Sequence, residues 1–335
     1  MAVTIQDIAN RVGMSIATVS RVLNRDPNLS VTDKTREKIY EAAEQLGYKK
    51  KSFKHSLKKV AFLYWFTERE ELEDVYYQDI REGISEQAET RSLNVSVYTI
   101  EDGLDAVDPQ ADGIIAIGRF TTEELDRLYT ITENVVFIDS SPDEERFDSV
   151  KPNLKHIIEK MVEFYVRNQH VSIGFIGGVD LDLDHRKTLT DIRETAFRQH
   201  ANRLDVLKEN AIYIAERFSV EEGYKMMQRA IEEHGENLPT AFCVASDTLA
   251  LGCLQALNER GFDLPSRVNV FSINDSHVSK YVSPPLTTYR IHTNLLCETA
   301  VDLMMERLVD KRKISKTVYV SSTPIYRKST KEIVK

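Results

Sequence analysis

Residues 4–24 read TIQDIANRVGMSIATVSRVLN and decide how the beginning of the chain folds. Thr4 is followed three residues later by Asp7, which is the pattern of a reciprocal helix N-cap, and Gly13 is a usual helix stop. Ser15 then marks the start of a second helix. Apolar residues at helical spacing are predicted to face a shared core, namely Ile5, Ile8, Ala9, Val12, Val19, Val22 and Leu23.

The second helix of this stretch is expected to expose small side chains and one arginine. Ile16, Ala17 and Ser20 fall on its outer face beside Arg21. Small residues let a helix approach base edges in the major groove, and arginine can donate two hydrogen bonds to guanine. A third helix, beginning at Thr32, would complete a helix-turn-helix domain. The pattern favours DNA binding, although a three-helix docking module would have the same geometry.

Charge separates the two ends of the chain. Residues 1–60 carry 12 Lys and Arg against 6 Asp and Glu, whereas residues 61–335 carry 32 against 47. A basic first region favours contact with phosphates, and an acidic remainder is repelled by them. Six lysines lie in residues 49–59, a segment predicted to be either a hinge helix or a flexible basic linker.

From residue 60 the chain alternates short apolar strands with amphipathic helices. This order predicts an α/β body of parallel sheets with helices on both faces, and the number of units is too large for one lobe. Strands are predicted at 60–65, 94–99, 112–117, 135–138, 171–176, 211–215, 240–245, 268–273 and 286–291. Helices are predicted at 77–91, 153–168, 220–234, 247–260 and 294–309.

Polar and aromatic residues follow several of these strands. Trp65 and Phe66 end the first strand, with Tyr76 near the start of the next helix, and Asp139 and Asn274 stand at two further strand ends. Ligands bind beyond the carboxyl ends of parallel strands, and carboxylates, amides and aromatic rings together suit a sugar. Two alternatives stay open, because an Asp or Asn after a strand is often a helix cap and a tryptophan there is often a core residue.

Composition excludes several classes of protein. With 41% hydrophobic and 29% charged residues the chain is globular, and no apolar run approaches the roughly 18 residues of a transmembrane helix. No signal peptide is visible, so we expect a cytoplasmic protein without membrane contact, with its three cysteines in the core. The acidic run at 180–191 lacks the Gly and closing Glu of a calcium loop, and motifs of hydrolases, zinc enzymes and nucleotide-binding loops are absent. We therefore predict no metal, no cofactor and no catalysis.

The run SIATVSRVLN at 15–24 is similar, nearly position by position, to the headpiece of the LacI/GalR family of bacterial repressors. Three body segments, GFIGG at 174–178, DIRE at 191–194 and FSIND at 271–275, resemble galactoside-operon repressors of that family, such as the repressor of the evolved β-galactosidase. The resemblance implies a helix-turn-helix headpiece followed by a two-lobed, periplasmic-binding-protein-like body.

The resemblance also implies domain boundaries. Residues 1–48 would be the DNA-binding headpiece, 49–59 the basic hinge, and 60–335 the body that binds the effector and dimerises. The chain is expected to cross between the two lobes near 155–165, 280–290 and 315–325.

Site residues follow from the pattern and the resemblance together. In the family a leucine of the hinge helix enters the minor groove, and the effector-binding arginine lies four residues before an aromatic, as Arg193 does before Phe197. DNA contacts are assigned to Thr4, Ser15, Ile16, Ala17, Thr18, Ser20, Arg21, Asn24, Thr32, Lys50, Lys54 and Leu57. Effector contacts are assigned to Trp65, Phe66, Tyr76, Asp139, Arg193, Phe218, Ser246 and Asn274.

The implied function is that of a transcriptional repressor. A homodimer would bind a pseudo-palindromic, double-stranded operator and leave it when a small sugar, a galactoside, binds the body. A dimer rather than a tetramer is expected because the chain shows no C-terminal leucine heptads. The alternatives are a regulator controlled by a corepressor, a sugar phosphate or a protein partner, a sugar-binding transport protein, and a sugar-modifying enzyme.

Overall fold

The computed structural model of the protein describes residues 3–23, 31–46, 48, 58–67, 75–181 and 188–331. Contacts divide the chain into two compact units, Met1–Ser56 and Leu57–Lys335. Each unit has its own buried core.

The first unit contains three helices, α1 (Ile5–Val12), α2 (Ile16–Leu23) and α3 (Asp33–Gln45). The predicted reciprocal cap is present: the Thr4 backbone N–H donates to the Asp7 carboxylate at 2.8 Å, and the Asp7 N–H donates to the Thr4 hydroxyl at 3.3 Å. The helix-turn-helix prediction is confirmed. Its core consists of Ile8, Ala9, Val19, Val22, Ile39, Ala42 and Ala43.

The second unit is built from strands and the helices that cover them. Its strands are β1 (Lys59–Trp65), β2 (Asn94–Thr99), β3 (Gly113–Gly118), β4 (Val135–Ile138), β5 (Asp148–Pro152), β6 (Ile173–Gly178), β7 (Asp180–Leu181), β8 (Thr188–Leu189), β9 (Leu207–Ala215), β10 (Ala241–Val244), β11 (Asn269–Asn274), β12 (Thr287–Arg290), β13 (Thr317–Val320) and β14 (Thr323–Ile325). Its longer helices are α4 (Val75–Thr90), α5 (Thr122–Ile131), α6 (Leu154–Arg167), α7 (Ile192–Arg203), α8 (Val220–His234), α9 (Asp247–Glu259) and α10 (Thr293–Leu308).

Two six-stranded sheets share one topology, and each forms the centre of a lobe. The strand order is β13-β5-β4-β3-β1-β2 in the first lobe and β14-β12-β11-β10-β6-β9 in the second. Neighbouring strands are parallel except β14, which runs antiparallel to β12. Five strands of each sheet follow the doubly wound order in which ligands bind beyond the carboxyl ends of the strands. The predicted two-lobed α/β body is confirmed.

Each of the nine predicted strands has a counterpart, but β5, β13, β14 and the short antiparallel pair β7 and β8 were not predicted. β5 reads DSVKP and has no apolar run that would mark it as a buried strand. It nevertheless lies inside the first sheet, where Asp148 is fully buried. Tertiary pairing overrides the weak local signal in this segment.

The chain passes between the lobes three times. It leaves the first sheet after Pro152 and enters α6, which packs on β10 and α7 of the second lobe. It returns between β12 and α10, because α10 packs on β3, β4 and β5, and it crosses again between β13 and β14. The first crossing lies between β5 and α6 at residue 153, the second between β12 and α10 at residues 291–292, and the third between β13 and β14 at residues 321–322.

Side chains on β1 alternate between two buried clusters. Phe62 and Tyr64 belong to a cluster that continues through both lobes, whereas Leu63 and Trp65 belong to a smaller cluster on the opposite face of the first sheet. This alternation, the normal pattern of a pleated strand, decides which strand-end side chains can reach a ligand.

Candidate functional site

The outer surface of α2 has the predicted composition. Ala17 and Arg21 are exposed, Ile16 is 48% exposed, and Ser20 is partly buried. Such a helix can contact base edges in a major groove, because it exposes an apolar side chain, a small side chain and an arginine together. This surface is the candidate DNA-reading face.

Hydroxyl residues stand at the helix starts of the first unit. The Thr18 backbone N–H donates to the Ser15 hydroxyl at 3.0 Å, and the Thr35 N–H donates to the Thr32 hydroxyl at 3.3 Å. These bonds fix the amino ends of α2 and α3, where remaining N–H groups attract phosphate. Four assigned DNA contacts lie outside the described residues, namely Asn24, Lys50, Lys54 and Leu57.

Asp139 directly follows β4, and its φ of 68° places its backbone in the left-handed region at the end of the strand. Burial raises the pKa of Asp139, and the positive charge of Arg193 opposes this rise only in part. The hydroxyl of Tyr76, on α4, interacts with the same carboxylate. Burial raises the pKa of Tyr76 well above its usual range, and the negative charge of Asp139 adds to the rise. Tyr76 therefore stays a neutral phenol beside a desolvated carboxyl.

Arg193, in the first turn of α7, is held by the carboxylate that caps the same helix. Nε donates to Asp191 Oδ1 at 2.8 Å, Nη2 donates to Oδ2 at 2.7 Å, and Nη1 donates to the Ala245 carbonyl at 3.0 Å. The two side chains are 17% and 9% exposed, respectively. Three of the five N–H groups of the guanidinium are thus engaged, and the other two have no hydrogen-bond partner among the described residues.

Aromatic rings from both lobes surround these charges. The Arg193 guanidinium lies 4.5 Å from the ring centre of Phe218, in cation–π contact. Phe66 and Tyr77 of the first lobe have ring centres 3.9 Å apart. Arg193, on the second lobe, interacts electrostatically with Tyr77 and Asp139 of the first lobe. The site formed by Tyr76, Asp139, Arg193, Phe218 and Asn274 is the candidate effector site, which we call the effector cleft.

A cavity of about 250 Å³ adjoins the cleft between the lobes, with Tyr76 on one side and Asn274 on the other. Asn274 ends β11 at φ 120°. The next residue, Asp275, is paired with Arg290 at 2.7 Å and with Arg327 at 2.6 Å. Ile291 supplies an apolar patch in the same cavity.

Comparison with known proteins identifies the family. Residues 4–51 match the bacterial regulatory proteins of the lacI family, and residues 162–330 match the periplasmic binding protein-like domain. The HTH-type transcriptional regulator GanR of Bacillus subtilis (strain 168) is 48% identical over 97% of this chain and 99% of its own length. The chain belongs to the LacI family. The predicted resemblance is confirmed, and this LacI-family protein is a DNA-binding transcriptional regulator.

Solved structures of the LacI fold extend over the whole chain. A complex of the transcriptional regulator CelR with cellobiose has a TM-score of 0.70 at 19% identity, covering 98% of this chain and 99% of that one. The lac repressor dimer bound to operator and the anti-inducer ONPF has a TM-score of 0.68 at 23% identity, with the same coverage.

Two of the residues assigned to the effector lie elsewhere in this LacI-family chain. Trp65 is 4% exposed, its indole N–H donates to Glu124 at 3.1 Å, and its ring stacks on Phe120 with centres 5.3 Å apart. Ser246 is buried, and its hydroxyl accepts from the Leu249 N–H at 3.2 Å as the N-cap of α9. The structure thus places Trp65 in the core and Ser246 at a helix cap, and it does not bring either side chain to Arg193.

Asp247 belongs to the internal structure of the second lobe. It is 1% exposed and accepts from Ser276 N–H at 2.7 Å, Ser279 at 2.6 Å, Thr288 at 2.7 Å and Ser272. Burial raises the pKa of this carboxyl, and the hydrogen bonds oppose the rise.

The cleft also contains a carboxylate to which the sequence assigned no role in the site, Asp191, the partner of Arg193. Tyr77, which follows Tyr76 at the start of α4, lies beside Phe66. The described residues contain no group of three His, Cys, Asp or Glu side chains placed to hold a metal ion. Within the same ranges, no helix is both long and apolar enough to cross a membrane. The three cysteines are free and buried, as predicted.

Proposed function

We propose that this LacI-family regulator is a homodimeric repressor of sugar-utilisation genes that leaves its operator when a galactoside binds the effector cleft. The observation that carries the proposal is the arrangement around Arg193, where side chains of both lobes meet at one partly open, hydrogen-bonding site. The resemblance of the body segments to galactoside-operon repressors supports the choice of sugar.

The chemistry of the cleft suits an uncharged ring with several hydroxyl groups. Asp139 accepts hydrogen bonds from hydroxyls, and the two remaining N–H groups of Arg193 donate to sugar oxygens. Phe218 offers an aromatic face to the apolar side of the ring. The amide of Asn274, which can both donate and accept, adds polar specificity at the cavity.

The proposed mechanism is a shift between two arrangements of the lobes. Asp139 stands on the first lobe and Arg193 on the second, so a sugar that bonds to both favours the arrangement in which they are close. If that arrangement binds the operator poorly, sugar and DNA oppose each other. A 100-fold loss of operator affinity requires about 2.7 kcal/mol of preference in total.

Operator contact is proposed for the exposed face of α2, with Arg21 reading a base. Arg21→Ala should lower affinity for the operator by about 1–3 kcal/mol and affect random DNA much less. Lys50→Ala, the control for a phosphate contact, should weaken both DNAs alike and reduce the salt slope by about 1. Equal losses on operator and random DNA for Arg21→Ala would show that Arg21 does not read a base.

The direct test is fluorescence anisotropy of the purified protein on DNA from upstream of its own gene, at fixed salt. Galactose, lactose, raffinose and glucose are added in turn. Release by a galactoside and not by glucose supports the proposal. Tight binding that no sugar disturbs contradicts the galactoside assignment and favours a corepressor or a protein partner.

Two further measurements test the other parts of the proposal. Light scattering of the protein at micromolar concentration should give the mass of a dimer. The sugars should be recovered unchanged after incubation with the protein.

A further inference from the structure

We infer that Asp191 restricts the effector cleft to uncharged sugars by neutralising Arg193. The inference rests on the proposed function in placing the effector in this cleft, and it adds the class of sugar that the cleft accepts. It separates free sugars from sugar phosphates, which carry similar hydroxyls and an additional dianion.

The Asp191 carboxylate occupies one whole edge of the Arg193 guanidinium. Nε and Nη2 donate to its two oxygens at 2.8 and 2.7 Å. Two parallel hydrogen bonds to such an edge are also how an arginine binds phosphate most strongly. A phosphate would therefore have to compete with a carboxylate that is fixed at the start of the same helix.

The charged groups at the cleft disfavour the binding of an anion. Arg193 interacts with two carboxylates, Asp191 and Asp139, so one positive charge stands against two negative charges. Arg119 and Lys151 act on these carboxylates from the first lobe. Arg119, however, is exposed, and the Lys151 ammonium lies 5.4 Å from the ring centre of Tyr319. Because Arg193 and Asp191 are largely buried, the repulsion felt by a phosphate beside them is only weakly screened.

The adjoining cavity holds three cations, Lys280, Arg290 and Arg327, and two carboxylates, Asp79 and Asp275. Arg290 and Arg327 both donate to Asp275, and the Lys280 ammonium lies 4.9 Å from the ring centre of Tyr281. The exclusion of anions is therefore inferred for the Arg193 side of the cleft and not for this cavity. The hydroxyl groups of a neutral sugar can still accept hydrogen bonds from the two N–H groups of Arg193 that have no partner among the described residues. A neutral ligand does not need a site with a net positive charge.

The Asp191→Asn variant removes the charge and keeps the helix start. Asp191 caps α7 by accepting from the Arg193 backbone N–H at 2.7 Å, and asparagine caps helices about as well as aspartate. Glu194 provides a matched control on the same helix. It is buried and pairs with Arg198 at 2.7 Å, and Arg198 also pairs with Glu209 on β9. Glu194→Gln therefore removes an equivalent charge from an ion pair outside the cleft.

The test is calorimetric titration of the full-length protein and both variants with galactose, galactose 6-phosphate and inorganic phosphate, at constant ionic strength. Wild type and Glu194→Gln should bind galactose in preference to both anions. Asp191→Asn should bind galactose 6-phosphate and inorganic phosphate at least about tenfold more tightly than wild type, equivalent to about 1.4 kcal/mol. Thermal melting of each variant verifies folding, and Asp191→Ser serves as a second variant that keeps the cap.

Two outcomes would overturn the inference. Wild type could bind galactose 6-phosphate as tightly as galactose, or folded Asp191→Asn could gain no more phosphate affinity than Glu194→Gln. Failure of the proposed function has a different signature. In that case wild type binds no neutral sugar, while the gain of inorganic phosphate binding in Asp191→Asn still identifies Asp191 as the group that excludes anions.

Discussion

Two buried arginine–aspartate pairs stand in the two lobes, Arg307–Asp148 in the first and Arg193–Asp191 in the second. In each, Nε and Nη2 of the guanidinium donate to the two carboxylate oxygens at 2.7–2.9 Å. The first pair ties α10 to β5, and the second lies at the mouth of the cleft.

The two pairs differ in the donors that remain. Arg307 also donates to the Glu133 carbonyl at 2.9 Å and to the Arg146 carbonyl at 3.4 Å, and its side chain is 3% exposed. Four of the five N–H groups of Arg307 are thus engaged, whereas within the described residues Arg193 keeps two and has a partly open face. The first pair stabilises the fold, and the second, with two donors left at a cleft, can bind a ligand.

The largest effect is expected for Asp148→Asn. Asp148 also accepts from Arg312 at 3.0 Å and from the Lys316 N–H at 2.7 Å, so the variant leaves Arg307 without its anion and Arg312 with Glu306 alone. Breaking such a buried pair costs about 3–5 kcal/mol of unfolding free energy, measurable by urea denaturation. Operator affinity and sugar affinity of the folded protein should be unchanged.

The pH dependence of that loss has a definite sign. Burial raises the pKa of Asp148, but the hydrogen bonds from Arg307 and Arg312 outweigh it and hold the pKa below its usual range. The stabilisation is therefore complete above the unfolded pKa of about 3.9 and is lost as the pH falls through the folded pKa. The difference in unfolding free energy between wild type and Asp148→Asn should therefore disappear in acid. A difference that stays constant in acid would contradict the role of the Asp148 charge.

Arg193→Ala should have the next largest effect, and on binding rather than on folding. Loss of charged donors to the sugar should weaken sugar affinity by about 30-fold, or about 2 kcal/mol, with operator affinity retained. Arg198→Ala is the matched control on α7, because its partners Glu194 and Glu209 lie outside the effector cleft. If the two variants weaken sugar binding equally, Arg193 is structural like Arg307, and the comparison fails.

Asp139→Asn should alter the pH profile of sugar binding. Because burial raises the pKa of Asp139, its carboxylate takes up a proton at a higher pH than an ordinary aspartate does. Protonation removes acceptors for sugar hydroxyls, so affinity should be full above the raised pKa and fall as the pH is lowered through it. The variant should bind the sugar about tenfold more weakly at neutral pH, and its affinity should not decrease further as the pH is lowered. Calorimetric titration across the acidic range measures both effects.

The smallest effect is expected for Trp65→Phe. The change removes one hydrogen bond to Glu124 and part of the stack on Phe120, which should lower stability by about 1 kcal/mol. Sugar affinity should not change, because Trp65 lies on the face of the first sheet away from the cleft. A sugar-dependent change in Trp65 fluorescence together with lost affinity in the variant would restore Trp65 to the site.

The carboxyl ends of parallel strands meet at one edge of each sheet, and this rule led to Asp139 in the first lobe and Asn274 in the second, whereas Arg193 and Phe218 came from the resemblance. Their contact with an effector stays a prediction. Trp65 lies on the other face of the first sheet, and because β1 is apolar on both faces, its composition does not show which alternate residues face a ligand.

The remaining residues depend on side-chain geometry that no pattern encodes. Asp191 and Arg193 are two positions apart at a helix start, where the usual interpretation of an aspartate is a cap. Asp191 is a cap and an ion-pair partner at once, and only the coordinates reveal the second role. Ser246 illustrates the reverse case, since the resemblance assigned it to the effector and its hydroxyl caps α9 in the described structure.

The three crossings between the lobes also set an order of assembly. α10 and β13 complete the first lobe, yet they follow nearly all of the second lobe in the chain. During synthesis β3, β4 and β5 therefore leave the ribosome long before the helix that covers them. The first lobe therefore has five of its six strands before the second lobe begins, but α10 and β13 complete it only after nearly all of the second lobe has been made.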